Sequence, residues 1–483
     1  MNREKRNAAV LCLLASALLL LLCSQCSPLY PINVWPDANC LLTVGRVMKE
    51  GGVVYRDIYE QKGPTLYLIH AIAACISDSS FLGVYLMEVF SFAVVLYLTC
   101  LTCMRKRNAV SAFCDAMLIA AFVLTGRAFF RGASAEEFCL PYLMGALYLA
   151  FRHYGEGDGP MPARALFVCG LLAGMVATIK FTILGFFVGL CAAEGVFALR
   201  KGGFGRAVKS AAVFLAGMLL PVGAWCVYFA HHGALSDFYR AYIYNNIFLY
   251  SDESRSLLDI LRNILSTVRG NWIWLLVAVI WLLGFAFNKR EKPHLRAAVL
   301  CMAAGAFASA FLLGRSWTYS PLVLSVFAFS ALRSLGSGAP QFEGLTTARR
   351  VGFVFFAAVS LVVALLSPNA YLRGEKIENM AQGRLAAYVH EGATVLQYSH
   401  LDDGLYLTAD RLPQQKYFGR MNVAYDEMDA ELDRYVREAI PDYVLTSWEP
   451  LPEAFDRYQL IATDAGYDDR DRINKPMYLY RRK

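Results

Sequence analysis

The stretch Trp35-Pro36-Asp37-Ala38-Asn39, continued through Tyr55-Arg56-Asp57-Ile58-Tyr59-Glu60-Gln61-Lys62-Gly63-Pro64, decides how the rest of the chain is read. It sets charges, prolines and paired glycines between one long apolar run and another apolar segment. Ionisable groups held against a bilayer are costly, so a first loop carrying Asp37, Arg46, Arg56, Asp57, Glu60 and Lys62 is expected to use them. Pro36 stops a spanning helix, and Asp37 falls where an N-cap stands. Ala38, Leu41, Leu42, Gly45 and Met48 then recur at helical spacing, with Asn39, Thr43, Arg46 and Glu50 on another face. The pattern predicts a short amphipathic helix suited to the membrane interface, ended by Gly51-Gly52. A polar turn runs to Lys62, and Gly63-Pro64 opens the next helix. On these residues alone, Asp37 reads as well as a helix cap as it does as a reactive carboxylate.

Outward from this loop, composition sets the class. With 483 residues, 57% of them apolar, the chain reads as a polytopic membrane protein. The formal charge of +7 is unevenly shared. From residue 368 onward 15 Lys and Arg face 20 Asp and Glu, a net of −5, which leaves +12 on the part before it. A basic membrane part with a mildly acidic tail speaks for anchoring charges, and no basic, aromatic groove argues for nucleic acid. The 13 cysteines fall mostly inside apolar runs, as Cys12, Cys75, Cys169, Cys191, Cys226 and Cys301 do. Cys23-x-x-Cys26 and Cys100-x-x-Cys103 have ligand spacing but no histidine nearby, so they read as small hydrophobes. The histidines are scattered, with no pair at metal spacing across a helix turn.

Residues 8–26 form a first span behind Arg3, Lys5 and Arg6, which place the N-terminus in the cytoplasm and the loop 27–63 outside. Residues 64–77 are short for a span and predict a second interfacial or re-entrant helix. Further spans are expected at 81–103, 109–125 and 138–151, with the basic turn Arg105-Lys106-Arg107 inside. The run 165–198 divides into two spans around Lys180 at its outer end, and 211–230 exits after Arg200, Lys201, Arg206 and Lys209. Tyr239, Tyr242, Tyr244, Phe248 and Tyr250 mark the external loop 231–270 as a headgroup-level segment. Spans at 271–288, 295–313, 319–332 and 351–367 complete about eleven. The tail 368–483 alternates β-rich runs at 394–398, 443–446 and 477–480 with a helical pattern at 424–439. The expected architecture is a membrane domain, 1–367, carrying a small soluble α/β domain, 368–483, on the external side.

In its first loop the chain resembles the GT-C superfamily of polyprenyl-phosphate-sugar-dependent glycosyltransferases, which includes protein O-mannosyltransferases and the aminoarabinose transferase of lipid A. The family pattern of an acid, a helix, a Gly, Tyr-x-Asp and Lys-x-Pro is met here by Asp37, Gly52, Tyr55-Arg56-Asp57 and Lys62-Gly63-Pro64. The resemblance implies that Asp37 is the catalytic base and that Lys62 lies near the donor phosphate. It implies an α-helical, multi-pass plasma-membrane enzyme that moves a sugar from a polyprenyl-phosphate donor to an extracytoplasmic envelope acceptor, with inversion. Glycosyl transfer needs a base for the acceptor proton and positive charge for the leaving phosphate. Arg56 and Arg315, both external, are further phosphate candidates. Glu136 and Glu137, after Arg127 and Arg131 in the second external loop, are candidates for the second acid that such enzymes carry there, orienting an acceptor or, in metal-dependent branches, a divalent cation. Acids at a helix start also serve its dipole, and with no further oxygen cluster in view a tightly held metal is not expected.

The alternative from another class is a transporter or lipid flippase, which would put ionisable groups near the bilayer midplane on broken helices and show inverted repeats. Here charges gather in external loops and no repeat is visible. A GT-C scaffold without activity is a third reading, and a cavity shared by Asp37 and Lys62 would tell against it. His400-Leu401-Asp402-Asp403 is polar enough to touch a sugar, but an exposed turn explains it equally well.

Overall fold

The computed structural model describes residues 3–105, 108–157, 159–250, 256–313, 315, 317–334, 345–468 and 473–483. Helices stand at each stretch whose apolar content points to the bilayer. They are α1 (Arg3–Cys23), α4 (Leu82–Cys103), α5 (Ala109–Leu124), α6 (Ala135–Glu156), α7 (Ala163–Lys180) and α8 (Gly185–His231), then, beyond the single turn α9 (Leu235–Phe238), α10 (Leu257–Phe287), α11 (Pro293–Phe311), α12 (Ser325–Ala331) and α13 (Leu345–Leu366). Two further helices, α2 (Pro36–Lys49) and α3 (Pro64–Ile76), fill the first loop. Among the described residues five helical stretches are long and apolar enough to cross a membrane, Ala163–His231 being one of them. That stretch is interrupted twice, by a 3-10 turn at Phe181–Leu184 and at Gly203, whose φ of 72° only glycine adopts without strain. The division expected at Lys180 is therefore present. Of the basic turn expected after α4, Lys106 and Arg107 lie outside the described residues, as do 251–255 of the aromatic loop.

Two expectations change. Helix α10 starts at Leu257 rather than near 271, because Ser256 and Asp259 form a capping box and the backbone only kinks at Asn271. Leu257, Leu258, Leu261 and Leu265 are exposed along it, an apolar face of the kind lipid covers. The second change is at α2. Its boundaries match the pattern, but its polar face is not turned to headgroups: Asp37 through Arg46 are all buried. Thr43 bonds to Asp402 at 2.7 Å, and Arg46 reaches the Tyr406 and Arg411 carbonyls, both at 3.1 Å, and Asp410 at 2.7 Å. The C-terminal segment thus sits on α2.

That segment holds a four-stranded sheet, β1 (Val395–Gln397), β2 (Tyr443–Ser447), β3 (Tyr458–Asp468) and β4 (Ile473–Arg482), ordered β1-β2-β4-β3. Strands β1 and β2 are parallel, whereas β4 runs antiparallel to both β2 and β3. Helices α14 (Ala381–Ala386), α15 (Leu405–Thr408) and α16 (Asp426–Arg437) accompany it. Strand β3 was not legible, since Ala462, Thr463, Asp464, Ala465 and Gly466 break its apolar alternation. The cysteines form no disulfide among the described residues, and nine are buried, as small hydrophobes are.

Candidate active site

The site is built where the first loop meets the start of α6 and the end of α7. Trp35 caps α2 with extended backbone and Pro36 takes the first helical position, so Asp37 falls in the first turn, where the helix dipole favours a carboxylate. The Trp35 ring packs on Tyr319 at 4.8 Å and Phe130 at 5.2 Å, fixing this corner. Tyr319 donates its hydroxyl to Oδ2 of Asp37 at 3.3 Å. Close contact of α2 with α3 depends on Gly45, where a Cβ would lie 2.5 Å from the His70 carbonyl carbon.

Lys62 arrives from the other end of the loop. Tyr55, buried and held at φ 74°, donates its hydroxyl to the Lys62 carbonyl at 2.6 Å. Asp57 accepts the Val53 amide at 2.8 Å, so the Tyr-x-Asp element is a brace for the turn that presents Lys62. Gly63 then bonds to the Ile179 carbonyl at 3.1 Å, and a Cβ there would stand 2.2 Å from the Thr178 oxygen. Only glycine lets the loop lie this close to α7, which carries Lys180. The Lys62 ammonium donates to Oδ1 of Asp37 and Oε1 of Glu60, both at 3.1 Å, while Glu60 also receives the Tyr67 hydroxyl. Burial works against this ammonium, but the two carboxylates outweigh it and hold its pKa above the ordinary lysine value.

Asp37, Glu60, Lys62, Glu136, Lys180, Arg315 and Tyr319 line one cavity of about 80 Å³, space for roughly five waters. Lys180 donates to Glu136 at 2.6 Å. Three carboxylates therefore face three cations, and two of the cations are paired. Arg315 is the third: it donates to the Asn422 carbonyl at 3.4 Å and lies over Tyr250 at 4.9 Å, with no carboxylate partner among the described residues.

Four of the residues singled out from sequence, Asp37, Lys62, Glu136 and Arg315, are thus brought together, and two are not. Arg56 is turned outward, bonded to Asp57 at 2.7 and 2.8 Å and to the His232 carbonyl at 2.8 Å. Glu137 is buried on the far side of the α6 start, beside Glu88, because consecutive helical residues diverge by about 100°. Lys180 and Tyr319 carry no site role in the sequence reading, and Glu60 stands there only among the first-loop charges. A lone lysine in an apolar run was the signal for Lys180; Tyr319 had none. Among the described residues no group of three His, Cys, Asp or Glu is arranged to hold a metal ion, and the cavity carboxylates are engaged by lysines instead.

No protein-family model matches the chain, and no curated protein matches it in sequence. Solved structures do match in fold. The ArnT of Cupriavidus metallidurans bound to undecaprenyl phosphate superposes with a TM-score of 0.63 at 12% identity over 97% of each chain. Its apo form gives 0.61 at 12% identity over 98% of this chain and 97% of that one. The mycobacterial arabinofuranosyltransferase AftD gives 0.51 at 11% identity over all of this chain and 40% of its own. The chain is a multi-pass membrane protein with the GT-C fold and a small C-terminal sheet.

Proposed function

We propose that this protein is an integral-membrane glycosyltransferase that moves a sugar from a polyprenyl-phosphate donor to an extracytoplasmic envelope acceptor, with inversion at C1. In this reading Asp37 takes the proton of the acceptor hydroxyl as its oxygen bonds to C1, and the C1–phosphate bond breaks with its electron pair leaving on the phosphate. Lys62 and Arg315 neutralise that phosphate, where preorganised positive charge counts most. Glu60 keeps hold of Lys62 while the arriving phosphate competes with Asp37 for the ammonium, which frees the carboxylate to act as base. Glu136, paired with Lys180, lies across the cavity as the second acid. In this reading the protein lies in the plasma membrane with the N-terminus inside, residues 1–367 being the membrane catalytic domain and 368–483 an extracytoplasmic domain.

The observation that carries the reading is the 3.1 Å contact of Lys62 with Asp37 in a cavity that also holds Arg315, which has no carboxylate partner among the described residues. The GT-C fold, and a neighbour of that fold bound to undecaprenyl phosphate, support a lipid-linked donor. The test is transfer of radiolabelled sugar from a polyprenyl-phosphate donor to envelope acceptor by the purified protein. Asp37→Asn should lower transfer by roughly 10²–10⁴-fold at unchanged membrane yield. Undiminished transfer would remove Asp37 from the chemistry. Lipid movement across vesicles without any transfer would favour a flippase.

A further inference from the structure

A second cavity, about 480 Å³, lies between the first loop and the C-terminal sheet. It falls in the roughly 300–1,000 Å³ range of ligand pockets. It shares a wall with the first: Pro36 lines one and Asp37 the other, while His400 and Asp403 line one and Leu401 the other. Trp448 follows β2 with φ 73°, a left-handed backbone that a tryptophan adopts only under strain. The strain leaves the indole at the cavity, 44% exposed, with the Lys475 ammonium 5.9 Å from the ring centre. Tyr467, 58% exposed, gives a second ring.

Polar groups complete the lining. Asp403 is buried and accepts from Ser447 at 2.5 Å, from Gln397 at 3.3 Å and from Lys475. Asp403, Lys475 and Ser447 thereby anchor one another, and Asp403 is held well below the ordinary carboxylate range, Lys475 and His400 outweighing the burial that opposes them. The Lys475 ammonium also lies 3.4 Å from Nδ1 of His400, and at least one of its hydrogens has no partner among the described residues. Gln382 is more than nine-tenths buried, lines the cavity, and its side-chain amide has no protein partner there among the described residues. Flat aromatic faces beside fixed N–H donors suit a pyranose, whose C–H face stacks on a ring while its hydroxyls accept hydrogen bonds.

We infer that this second cavity binds the acceptor, a saccharide with several free hydroxyls, stacked on Trp448 and bonded to Lys475 and Gln382. The inference rests on the transferase reading above and adds to it the class of acceptor and the place where it docks. Because the catalytic carboxylate lies just across the shared wall, a bound glycan would bring its terminal hydroxyl to the side of the Asp37 cavity.

The experiment uses the full chain in nanodiscs and, as probe, oligosaccharides released by mild acid from the envelope of cells that make the protein. Titration should quench tryptophan fluorescence saturably. Trp448→Phe should remove the quench, and Gln382→Ala should weaken binding at least fivefold. No quench with the unsubstituted protein, or an equal quench in Trp448→Phe, overturns the inference. In the transfer assay, Tyr467→Ala and Gln382→Ala should raise the acceptor KM at least fivefold with kcat and donor KM within twofold. Normal transfer with an unchanged acceptor KM sinks the acceptor site and leaves the transferase standing. Saccharide binding without transfer by the unsubstituted protein sinks the transferase and reduces this cavity to a lectin-like site.

Discussion

Thr43 of α2 donates its hydroxyl to Asp402 of the C-terminal segment at 2.7 Å, across 359 positions of sequence. Asp402 also accepts the Gly404 amide at 2.8 Å and is fully buried. The contact locks the helix whose first turn carries Asp37 to the loop that separates the two cavities.

It also has a pH signature. Burial pushes the Asp402 carboxyl up to about 6, the Thr43 and Gly404 hydrogen bonds opposing it. The folded state then binds a proton more tightly than the unfolded chain, so this group adds stability as pH falls through about 6. Between pH ~7 and pH ~5 the gain should be about 1 kcal/mol. Thermal unfolding of the purified protein at the two pH values, compared with Asp402→Asn, checks it: the variant should lose that increment. An identical pH response in the two proteins would mean that Asp402 does not titrate there. Asp403, whose pKa is depressed, acts in the opposite sense, contributing stability that is lost only below the ordinary carboxylate range.

Lys62 sits between two carboxylates, and its side chain is 19% exposed. Removing it leaves Asp37 and Glu60 facing each other without a cation. Discounted for partial exposure, Lys62→Ala should cost about 1–3 kcal/mol. Lys62→Ala combined with Glu60→Gln should recover part of it. Transfer assays on Lys62→Ala should show donor KM rising more than acceptor KM; an effect confined to the acceptor would contradict the phosphate role.

Glu136 and Lys180 come from different helices and meet at 2.6 Å. Their single alanine variants should not add: the double variant should be less impaired than the sum by about 0.5–3 kcal/mol, whether read as stability or as transfer. Simple additivity would mean the pair is not coupled.

Gly63→Ala should displace the loop from α7, since the new methyl would meet the Thr178 carbonyl at 2.2 Å. The expected cost is about 1–3 kcal/mol, with loss of transfer. Gly195→Ala, where a Cβ meets nothing within 4 Å, is the control and should be neutral or slightly stabilising in thermal unfolding.

Much of this could be read without coordinates, and the reason is local. Hydropathy marks apolar helices because backbone polar groups in lipid must be satisfied within the segment, so α1, α4, α5, α7 and α11 followed from runs of residues. The loop Asp37 to Pro64 announced itself by charges beside apolar stretches, and its helix ends by Pro36, Gly51-Gly52 and Pro64. What composition could not say is which charges meet. Adjacent Glu136 and Glu137 part company through the pitch of α6, Arg56 closes on its neighbour Asp57, and Lys180 reaches the cavity only because Gly63 lets the loop touch α7. Distances between groups far apart in the chain are set by helix packing and by the closure of the C-terminal segment onto α2. The sequence by itself therefore determined the membrane class, the helices and the loop that carries the chemistry. Only the tertiary structure chose the partners of each charge and opened the second cavity, because both depend on surfaces that exist once the helices and the sheet have packed.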